Sequence, residues 1–535
     1  MTTLGCPPVS GLRSPFLDAR PRHVDALPLH RLEEMLDTHR LPDSPADPAV
    51  TGVALSSTGV RPGDLYAALP GARTHGARFS PDAVSAGAVA VLTDEAGRAA
   101  AAAAGVPVLV VETPRHRLGE VARAVYGDPG SAMLTLGVTG TQGKTTTTAL
   151  MGSALRATGR AAGVVGTLGT SVDGRAVRSA LTTPEAPDLH ALFAVMREQG
   201  VDACAMEVSS HALVQRRVDG VVFDVAVFLN LGRDHLDFHA DLEDYFAAKA
   251  QLFTAERARQ AVIDIDDAHG RRMAAETELP VTTVAVDRAA DWQAVDVRTE
   301  PTGSTYTVVS ADGRRHPASV SLPGAFNVRN ALAATVALVL GGVDLEAAVA
   351  GVAAAPGVPG RMERVSAPAE SAAASGPDDV EVIVDYAHKP DALVAVLDAL
   401  RPTTRGRLWV VLGAGGDRDR GKRPLMGQVV AERADVVVVT DDNPRTEDPA
   451  AIRAALLTGA DDAGSGAAEV HEVPDRGKAI RTAVLRAAPG DSVLIAGKGH
   501  ESGQEVAGVV HPFDDREVAC AVLAERARRD REGAT

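Results

Sequence analysis

Short apolar runs recur along most of the chain and alternate with longer segments of mixed polarity. The first such runs cover residues 50–55, 88–92 and 106–111. Runs of this length between turn residues are typical of buried strands, and strands that alternate with helices form largely parallel sheets. The pattern therefore predicts an α/β fold.

The alternation continues to near the end of the chain. Further strands are predicted at residues 134–138, 203–208, 221–229, 382–384, 408–412, 436–440 and 493–496. Residues 297–321 differ, because polar and apolar positions alternate there around the turn Asp312-Gly313. This segment predicts an antiparallel hairpin.

Breaks in the pattern divide the chain. Residues 1–27 are rich in proline and arginine and lack periodicity, which indicates a mobile tail. The segment 356–360 reads Pro-Gly-Val-Pro-Gly and predicts a hinge, and the low-complexity stretch 366–379 predicts a surface loop. We expect three α/β domains with largely parallel sheets: a first domain at 28–112, a central domain at 113–359 and a Rossmann-like C-terminal domain at 360–535.

Composition narrows the class of protein. The 535 residues are too many for one core, and they are 45% hydrophobic and 23% charged, as in soluble proteins. The net charge is −16 without clustered lysine and arginine, which argues against a nucleic-acid partner. Three widely spaced cysteines predict neither a disulfide scaffold nor a zinc cluster. Without a signal-peptide pattern or an apolar stretch of ~20 residues, we expect a cytoplasmic protein with no membrane partner.

The strongest motif is the segment GVTGTQGKTT at residues 137–146. It lies between a predicted strand and a predicted helix, which is the setting of a phosphate-binding loop. Backbone N–H groups and a helix N-terminus would surround phosphate oxygens, Lys144 would reach the β- and γ-phosphates, and Thr145 would hold Mg²⁺. Val138 occupies the usual first glycine position, so the motif is a variant. The alternative is a glycine-rich turn with a surface lysine.

Glu207 ends the apolar run 203–208, at the edge of the sheet where the loop is expected. An acid in this position resembles in role the second metal ligand of a nucleotide site. The alternative is an exposed glutamate at a strand end.

Three more polar segments follow predicted strands, at residues 230–237, 385–390 and 441–445. Ligands of open α/β sheets bind at the carboxyl ends of the strands, although each segment alone could be a helix cap or a turn. Their recurrence favours a shared cleft.

Lys249 is a single lysine among apolar neighbours on a predicted helix. On the residues alone, a lysine whose stem lies along the apolar surface is the simpler interpretation. A partly buried lysine would have a lowered pKa and greater nucleophilicity.

Together these motifs resemble the Mur ligases, over nearly the whole chain from about residue 50. The segments that carry the resemblance are GVTGTQGKTTTT, LTTP, AMEVSSHALVQRRV, NLGRDHLDFH, YFAAKAQLF, FNVRNALAA, GRMERV, VDYAHKPDAL, GAGGDRDRGKRPLM, TDDNPRTEDP and AGKGHE. Within the family, the sequence is similar to members that add the third residue of the peptidoglycan stem peptide. The resemblance implies an ATP-dependent ligase that joins UDP-N-acetylmuramoyl-L-alanyl-D-glutamate to a diamino acid. We expect a monomer.

The resemblance also implies roles for individual residues. Those of the ATP loop are Gly140, Thr141, Gln142, Gly143, Lys144, Thr145 and Thr146. Those expected to contact the nucleotide or to orient the C-terminal domain are Asn330, Arg361, Asp385 and His388. Those expected to bind the UDP-muramyl peptide are Leu55, Ser57, Thr182, Thr183, Ser209, Gln215 and Arg217. The implied catalytic set is Lys144, Glu207, His235 and Lys249, and the implied Mg²⁺ ligands are Thr145, Glu207, His235 and Lys249.

Lys249 matches the lysine that is carbamylated in the family, and a carbamate would turn this cation into an anion able to hold Mg²⁺. Three positions depart from the family pattern. The usual D-S-R is Ser56-Ser57-Thr58, His75 stands where relatives often have aspartate, and Gln142 replaces asparagine.

The amino-acid pocket distinguishes members of the family. The residues that match it are Arg418, Asp442, Asn443, Pro444, Arg445, Gly497 and Glu501. The motif Asp-Asn-Pro-Arg marks members that add diaminopimelate, whose distal carboxylate lysine lacks. A guanidinium such as that of Arg445 binds a carboxylate bidentately, and Glu501 would meet the distal ammonium. The sequence leaves the meso and LL isomers open.

Two rival functions are weighed against this one. A relative that adds lysine or glutamate is disfavoured by Arg445 and by the segment 207–217. A nucleotide-dependent switch would bind ATP without forming an amide, but it gives no reason for the pocket of the third domain.

Overall fold

The computed structural model describes residues 17–41, 47–179, 181–367, 379–464 and 466–533. Its strands are β1 (Leu27–Pro28), β2 (Ala49–Val50), β3 (Gly52–Ala54), β4 (Asp64–Ala67), β5 (Ala90–Thr93), β6 (Val108–Val110), β7 (Leu134–Thr139), β8 (Ala162–Gly166), β9 (Gly169–Val172), β10 (Arg175–Val177), β11 (Ala203–Glu207), β12 (Val225–Phe228), β13 (Ala261–Asp264), β14 (Val281–Ala285), β15 (Trp292–Glu300), β16 (Gly303–Val309), β17 (Arg315–Val320), β18 (Glu363–Val365), β19 (Glu381–Asp385), β20 (Leu408–Leu412), β21 (Val436–Val439), β22 (Glu469–Glu472), β23 (Ser492–Ala496), β24 (Gly503–Val506) and β25 (Val509–Pro512).

The helices are α1 (Leu29–Leu36), α2 (Ser80–Ser85), α3 (Arg98–Ala102), α4 (Pro114–Val125), α5 (Lys144–Ala157), α6 (Ala186–Glu198), α7 (Ser210–Val214), α8 (Leu242–Ala250), α9 (Ala268–Glu276), α10 (Ala325–Leu340), α11 (Leu345–Ala353), α12 (Pro390–Leu400), α13 (Lys422–Arg433), α14 (Pro449–Asp461), α15 (Arg476–Arg486) and α16 (Asp515–Gly533). Short 3-10 helices cover Ser57–Gly59, Gly76–Phe79 and Pro129–Ala132. None of the helices in the described part of the chain is both long and apolar enough to cross a membrane.

Three larger sheets confirm the predicted α/β class, and two short antiparallel pairs, β1-β2 and β24-β25, lie beside them. The first is parallel, in the order β3-β4-β5-β6. The central sheet has the order β10-β9-β8-β11-β7-β12-β13-β14-β15-β16-β17 and is parallel from β8 to β15. The third has the order β18-β19-β23-β20-β21-β22, and only β18 is antiparallel to its neighbour.

Helices cover both faces of the central and third sheets, as a sheet buried on both faces requires. Helices α5, α10 and α11 pack in one apolar cluster that continues into α12 and α13 of the third domain. Helices α6, α7 and α8 cover the opposite face of the central sheet. Helices α15 and α16 cover the other face of the third sheet.

The segment 297–321 was predicted to be one hairpin, and the structure corrects this. Strands β15, β16 and β17 form an antiparallel meander that extends the central sheet. The predicted turn Asp312-Gly313 does join β16 to β17. The strand β15 was not predicted as a separate strand; its pairing with β16 shifts register between Val295 and Arg298, which interrupts the regular pattern.

Two boundaries also differ from those expected. Residues 17–27 were assigned to the mobile tail, yet Leu17 bridges to Val177 and Leu27 belongs to β1. Residues 1–16 and most of the predicted loop 366–379 lie outside the described residues. Helix α4, expected in the central domain, packs Leu118 and Val121 into the core of the first domain.

Candidate active site

The phosphate-binding loop follows β7 and ends at the first residue of α5. Gly140 and Gly143 have φ values of 158° and 86°, and the positive φ at Gly143 is one that favours glycine. The side chain of Asn230, after β12, supports the loop by accepting the N–H groups of Thr141 and Gln142 at 3.1 and 2.9 Å. The loop backbone is thus held in place by Asn230, which follows the neighbouring strand β12.

Lys144 donates its ammonium protons to Gly140 O at 2.7 Å and Thr141 O at 3.3 Å. Burial, together with the nearby charge of Lys389, lowers the pKa of Lys144 to about 8. The two lysines come from different domains, so positive charge is concentrated where a triphosphate would be expected.

Lys249 lies beneath this loop and is 1% exposed. Its Nζ donates to Gly140 O at 3.0 Å and to Thr139 Oγ1 at 3.4 Å, and it lies 4.6 Å from the centre of the Tyr245 ring. Burial and the charges of Lys144 and Lys389 hold its pKa well below the ordinary value. The structure therefore favours a fully buried amine over a lysine stem lying along the surface.

Glu207 is the last residue of β11 and is 1% exposed. Its carboxylate accepts from Thr167 N at 2.7 Å and from Thr167 Oγ1 at 3.2 Å. Since β11 neighbours β7, this acid emerges at the same sheet edge as the phosphate loop. The interpretation as an exposed strand-end glutamate is wrong.

Five of the seven residues predicted to bind the muramyl peptide lie close to Glu207: Thr182, Thr183, Ser209, Gln215 and Arg217. The Thr183 hydroxyl donates to Glu207 O at 2.8 Å and accepts from Ser209 N at 3.3 Å. Thr182 Oγ1 lies 3.2 Å from Thr167 Oγ1. Hydroxyl groups from two segments thus line the edge next to the carboxylate.

Arg217 and Gln215 complete this group. Arg217 donates to Gln215 Oε1 at 2.5 Å and to Thr183 O at 3.3 Å, and it pairs with Glu185 at 2.9 Å. The guanidinium is therefore fixed beside the threonines and offers a cation for an anionic substrate group.

His235 belongs to the loop after β12 and has a φ of 54°. Its Nε2 lies 2.8 Å from Asp234 Oδ2, and the same carboxylate forms an ion pair with Lys389. Burial would raise the pKa of Asp234, but Lys389 and His235 hold it well below the ordinary value. Asp234 thus connects a predicted metal ligand of the central domain to a cation of the C-terminal domain.

A second contact joins the same two domains. Arg361 Nη2 donates to Thr145 Oγ1 at 3.4 Å, and the guanidinium stacks 4.3 Å from the centre of the Tyr386 ring. Asp385 accepts from Met362 N and Ala387 N, both at 2.7 Å, so it orders the start of the C-terminal domain.

Two further residues assigned to the nucleotide are buried close to this contact. His388 Nδ1 lies 2.7 Å from Tyr386 O, and burial holds the pKa of its imidazole well below the ordinary value. The side chain of Asn330 lies directly against Gly143 of the loop. A Cβ on Gly143 would lie only 2.2 Å from Asn330 Oδ1.

The residues predicted to bind the amino acid meet at the carboxyl ends of β21 and β23. Asn443 Nδ2 donates to Glu501 Oε2 at 2.9 Å, and Lys498 Nζ donates to Asn443 Oδ1 at 3.0 Å. Asp442 lies against Gly497, whose φ is 117° and where a Cβ would lie 2.6 Å from Asp442 Oδ2. The glycine is required for this close approach.

Arg445 has a φ of 52° and is held over the pocket by three contacts. It donates from Nη1 to Gly416 O at 2.6 Å and from its backbone N to Glu505 O at 3.0 Å, and Nε lies 3.4 Å from the Glu505 carboxylate. Pro444 is buried and Arg418 is exposed nearby. Arg418 is less constrained than Arg445.

Two residues predicted to bind the muramyl peptide, Leu55 and Ser57, are not brought to the cluster around Glu207. Leu55 follows β3 and Ser57 begins a 3-10 helix in the first domain. Within the part of the chain that the structure describes, no hydrogen bond joins either side chain to the cluster around Glu207.

Five residues that shape the site were given no individual role by sequence reasoning: Thr167, Asn230, Asp234, Lys389 and Lys498. Asn230, Asp234 and Lys389 lie in the polar segments expected to reach a shared cleft, and Lys498 lies in a segment that carries the family resemblance. Their roles depend on which strands are neighbours, which spacing along the chain does not reveal.

Comparison with known proteins matches three family models along the chain. Residues 49–126 match the Mur ligase family catalytic domain, 138–338 the Mur ligase middle domain and 360–499 the Mur ligase glutamate ligase domain. The exact domain boundaries stay predictions.

Curated relatives are similar over most of the chain. The UDP-N-acetylmuramoyl-L-alanyl-D-glutamate--2,6-diaminopimelate ligase of Streptomyces avermitilis is 53% identical over 93% of this chain and 96% of its own. The ligase of the same name from Corynebacterium glutamicum is 48% identical over 89% of this chain and 92% of its own.

Solved structures agree with the fold. The structure of a UDP-N-acetylmuramoyl-L-alanyl-D-glutamate--2,6-diaminopimelate ligase covers 89% of this chain and 95% of its own, with 35% identity and a TM-score of 0.63. MurF ligase from Thermotoga maritima in complex with ADP is 18% identical with a TM-score of 0.59, covering 90% of this chain and 99% of its own, and supports the fold alone. The chain therefore belongs to the Mur ligase family.

Proposed function

We propose that this protein adds diaminopimelate to UDP-N-acetylmuramoyl-L-alanyl-D-glutamate with the hydrolysis of ATP to ADP, in the synthesis of peptidoglycan precursors. The observation that carries the proposal is the convergence of a phosphate loop, a buried lysine and an acid at one sheet edge, with Lys389 and Arg361 reaching them from the domain that holds the amino-acid pocket. The names of the relatives agree with this activity.

The residues at the sheet edge fit a magnesium ion. Mg²⁺ prefers oxygen ligands, and Thr145 and Glu207 supply a hydroxyl and a carboxylate, with His235 as a further donor. Within the described residues, Lys249 Nζ donates to a hydroxyl and a carbonyl oxygen, and burial lowers the pKa of its amine, which suits carbamylation to an oxygen ligand. When bound, the ion would neutralise phosphate charge.

The reaction would proceed through an acyl phosphate. The γ-carboxylate of the D-glutamyl residue attacks the γ-phosphate of ATP, ADP leaves, and the amine of diaminopimelate then displaces phosphate from the acyl carbon. Phosphoryl transfer of this kind depends on positioning and charge neutralisation, which Lys144 and the loop N–H groups supply. The contacts of Lys389 and Arg361 with the central domain would bring the amine close and keep water out.

The pocket provides the chemistry that selects diaminopimelate. Arg445 offers its guanidinium to the distal carboxylate, and Glu501, with Asn443 fixing its position, would accept the distal ammonium. We propose a monomer that works in the cytoplasm, where ATP and UDP-sugars are available.

Product mass after incubation with ATP, Mg²⁺ and the UDP-muramyl dipeptide tests the proposal. Parallel reactions would contain meso-diaminopimelate, LL-diaminopimelate or L-lysine. A tripeptide with a diaminopimelate isomer and little with lysine is expected. A lysine product would overturn the role of Arg445, and ATP binding without any tripeptide would favour the nucleotide-dependent switch.

A further inference from the structure

Residues 17–24 form a strap that links the first domain to the central domain. At one end Leu17 donates its N–H to Ala176 O at 3.0 Å and packs on the central core. At the other end the backbone N–H groups of Arg22 and His23 donate to the Glu198 carboxylate, at the end of α6, at 3.1 and 2.8 Å. Both ends of the strap are thus fixed to the central domain.

The middle of the strap contacts the first domain through Arg20. Its Nη1 lies 2.7 and 2.6 Å from the two oxygens of Asp64, which is 2% exposed. Its Nη2 donates to Val53 O at 3.2 Å and to Gly59 O at 3.4 Å. One guanidinium therefore contacts β3, the first residue of β4 and the loop between them.

The Arg20–Asp64 pair packs closely against the backbone of Gly52. A Cβ on Gly52 would lie 2.2 Å from Asp64 Oδ1 and 2.9 Å from Arg20 Nη1. A second pair supports the same loop at the surface, since Arg61 donates to the Asp18 carboxylate at 2.9 and 3.1 Å. Asp64 also accepts from Arg61 N at 2.8 Å.

The loop held in this way, residues 55–61, contains Leu55 and Ser57. We propose that Arg20 is a positioning residue for the UDP-muramyl substrate: it fixes this loop, which carries two of the residues that the family resemblance assigns to the substrate, relative to the central-domain residues Thr183 and Arg217 that would hold the muramyl peptide. The inference rests on the proposed function. A loop fixed before the substrate arrives loses less conformational freedom on binding, which raises affinity without altering the chemical step.

The test is the Arg20→Met variant, assayed for tripeptide formation. We expect the KM for the UDP-muramyl dipeptide to rise on the order of tenfold, while kcat and the KM values for ATP and diaminopimelate stay unchanged. Binding of UDP alone, measured by calorimetry, should weaken in parallel. The KM of Arg20→Lys for the dipeptide should lie between those of the unaltered protein and of Arg20→Met. A lysine keeps the ion pair with Asp64 but loses the hydrogen bonds to Val53 O and Gly59 O.

Arg22→Met is the matched control, because the side chain of Arg22 is exposed and Arg22 bonds to Glu198 through its backbone N–H. Should Arg20→Met leave Asp64 buried and unpaired and fail to fold, Arg20→Met with Asp64→Asn and, separately, Asp18→Asn test the same loop. An unchanged KM and unchanged UDP binding in the folded variants would overturn the role of Arg20. Absence of tripeptide with the unaltered protein would instead overturn the proposed function.

Discussion

At the scale of single residues, Lys249 combines deep burial with carbonyl and hydroxyl contacts in place of an acidic partner. We expect Lys249→Ala to lower kcat on the order of 100-fold, through loss of a metal-holding carbamate. Only the neutral amine reacts with CO₂. Burial lowers its pKa and so favours the carbamate near neutrality, and activity should fall as the pH drops and this amine is protonated.

Measuring kcat with and without added bicarbonate checks this prediction. Lys478→Ala is a suitable control, because Lys478 is exposed on α15. Full activity of Lys249→Ala, insensitive to bicarbonate, would contradict the proposed role.

Arg445 carries the second prediction at this scale. Its contacts with Gly416 and Glu505 hold the guanidinium in place over the pocket. Arg445→Met should raise the KM for diaminopimelate by about 10- to 100-fold and leave the KM for ATP unchanged, because a charged hydrogen-bonded pair is lost. Steady-state kinetics with Arg314→Met as the surface control check this prediction: a lowered kcat with an unchanged KM for diaminopimelate would mean that Arg445 acts only on folding.

At the scale of elements, a buried ion pair fixes the last helix. Arg476, at the start of α15, donates to both oxygens of Asp515, at the start of α16, at 2.7 Å, and both side chains are fully buried. Asp515→Asn should destabilise the C-terminal domain by about 3 kcal/mol, because it leaves a buried charge unpaired. Replacing both residues, as Arg476→Met with Asp515→Leu, should recover most of the loss.

Urea unfolding followed by tryptophan fluorescence checks this prediction. The protein has two tryptophans, so a Trp292→Phe background leaves Trp409 of β20 as a reporter inside the C-terminal domain. Glu243→Gln, which breaks an exposed pair with Arg272, should leave the midpoint unchanged. A similar shift in both variants would rule out a special role for the buried pair.

Most strands that the sequence predicted are buried on both faces, although β4 and β13, which are equally buried, were not predicted. Strands such as β20 and β21 consist of apolar residues alone and stand out from their surroundings. Edge strands do not stand out in this way, because half of each is exposed. An example is β22, which reads Glu-Val-His-Glu.

Motif residues were predictable for a different reason. A loop such as 137–146 requires glycines and a lysine at fixed spacing, so its chemistry is visible in the sequence. The bond from Asn230 to the loop and the pair between Asp234 and Lys389 depend on strand order and domain packing, and neither leaves a local pattern.

At the scale of the whole molecule, the pair between Asp234 and Lys389 joins two domains across the site. Lys389→Met should lower the rate of tripeptide formation about tenfold with ATP affinity retained, because the closed arrangement loses a partly buried charge pair. The ratio of ATP hydrolysed to tripeptide formed should rise as water enters.

Arg233→Met is the matched control for this variant. Arg233 reaches Asp419 of the same C-terminal domain at 3.8 Å but is half exposed, so its loss should change little. An unchanged ratio in Lys389→Met would contradict a role in closure.

Helix α4 has a consequence for how such domains can be exchanged among relatives. One face of α4, with Leu118, completes the core of the first domain. Ala122 on the opposite face and Tyr126, just after the helix, pack against α6 of the central domain. A transplanted first domain that stopped before Pro114 would expose its own core, and one that included the helix would carry an apolar face made for another partner. Recombination of this module is therefore constrained to swap α4 and α6 together.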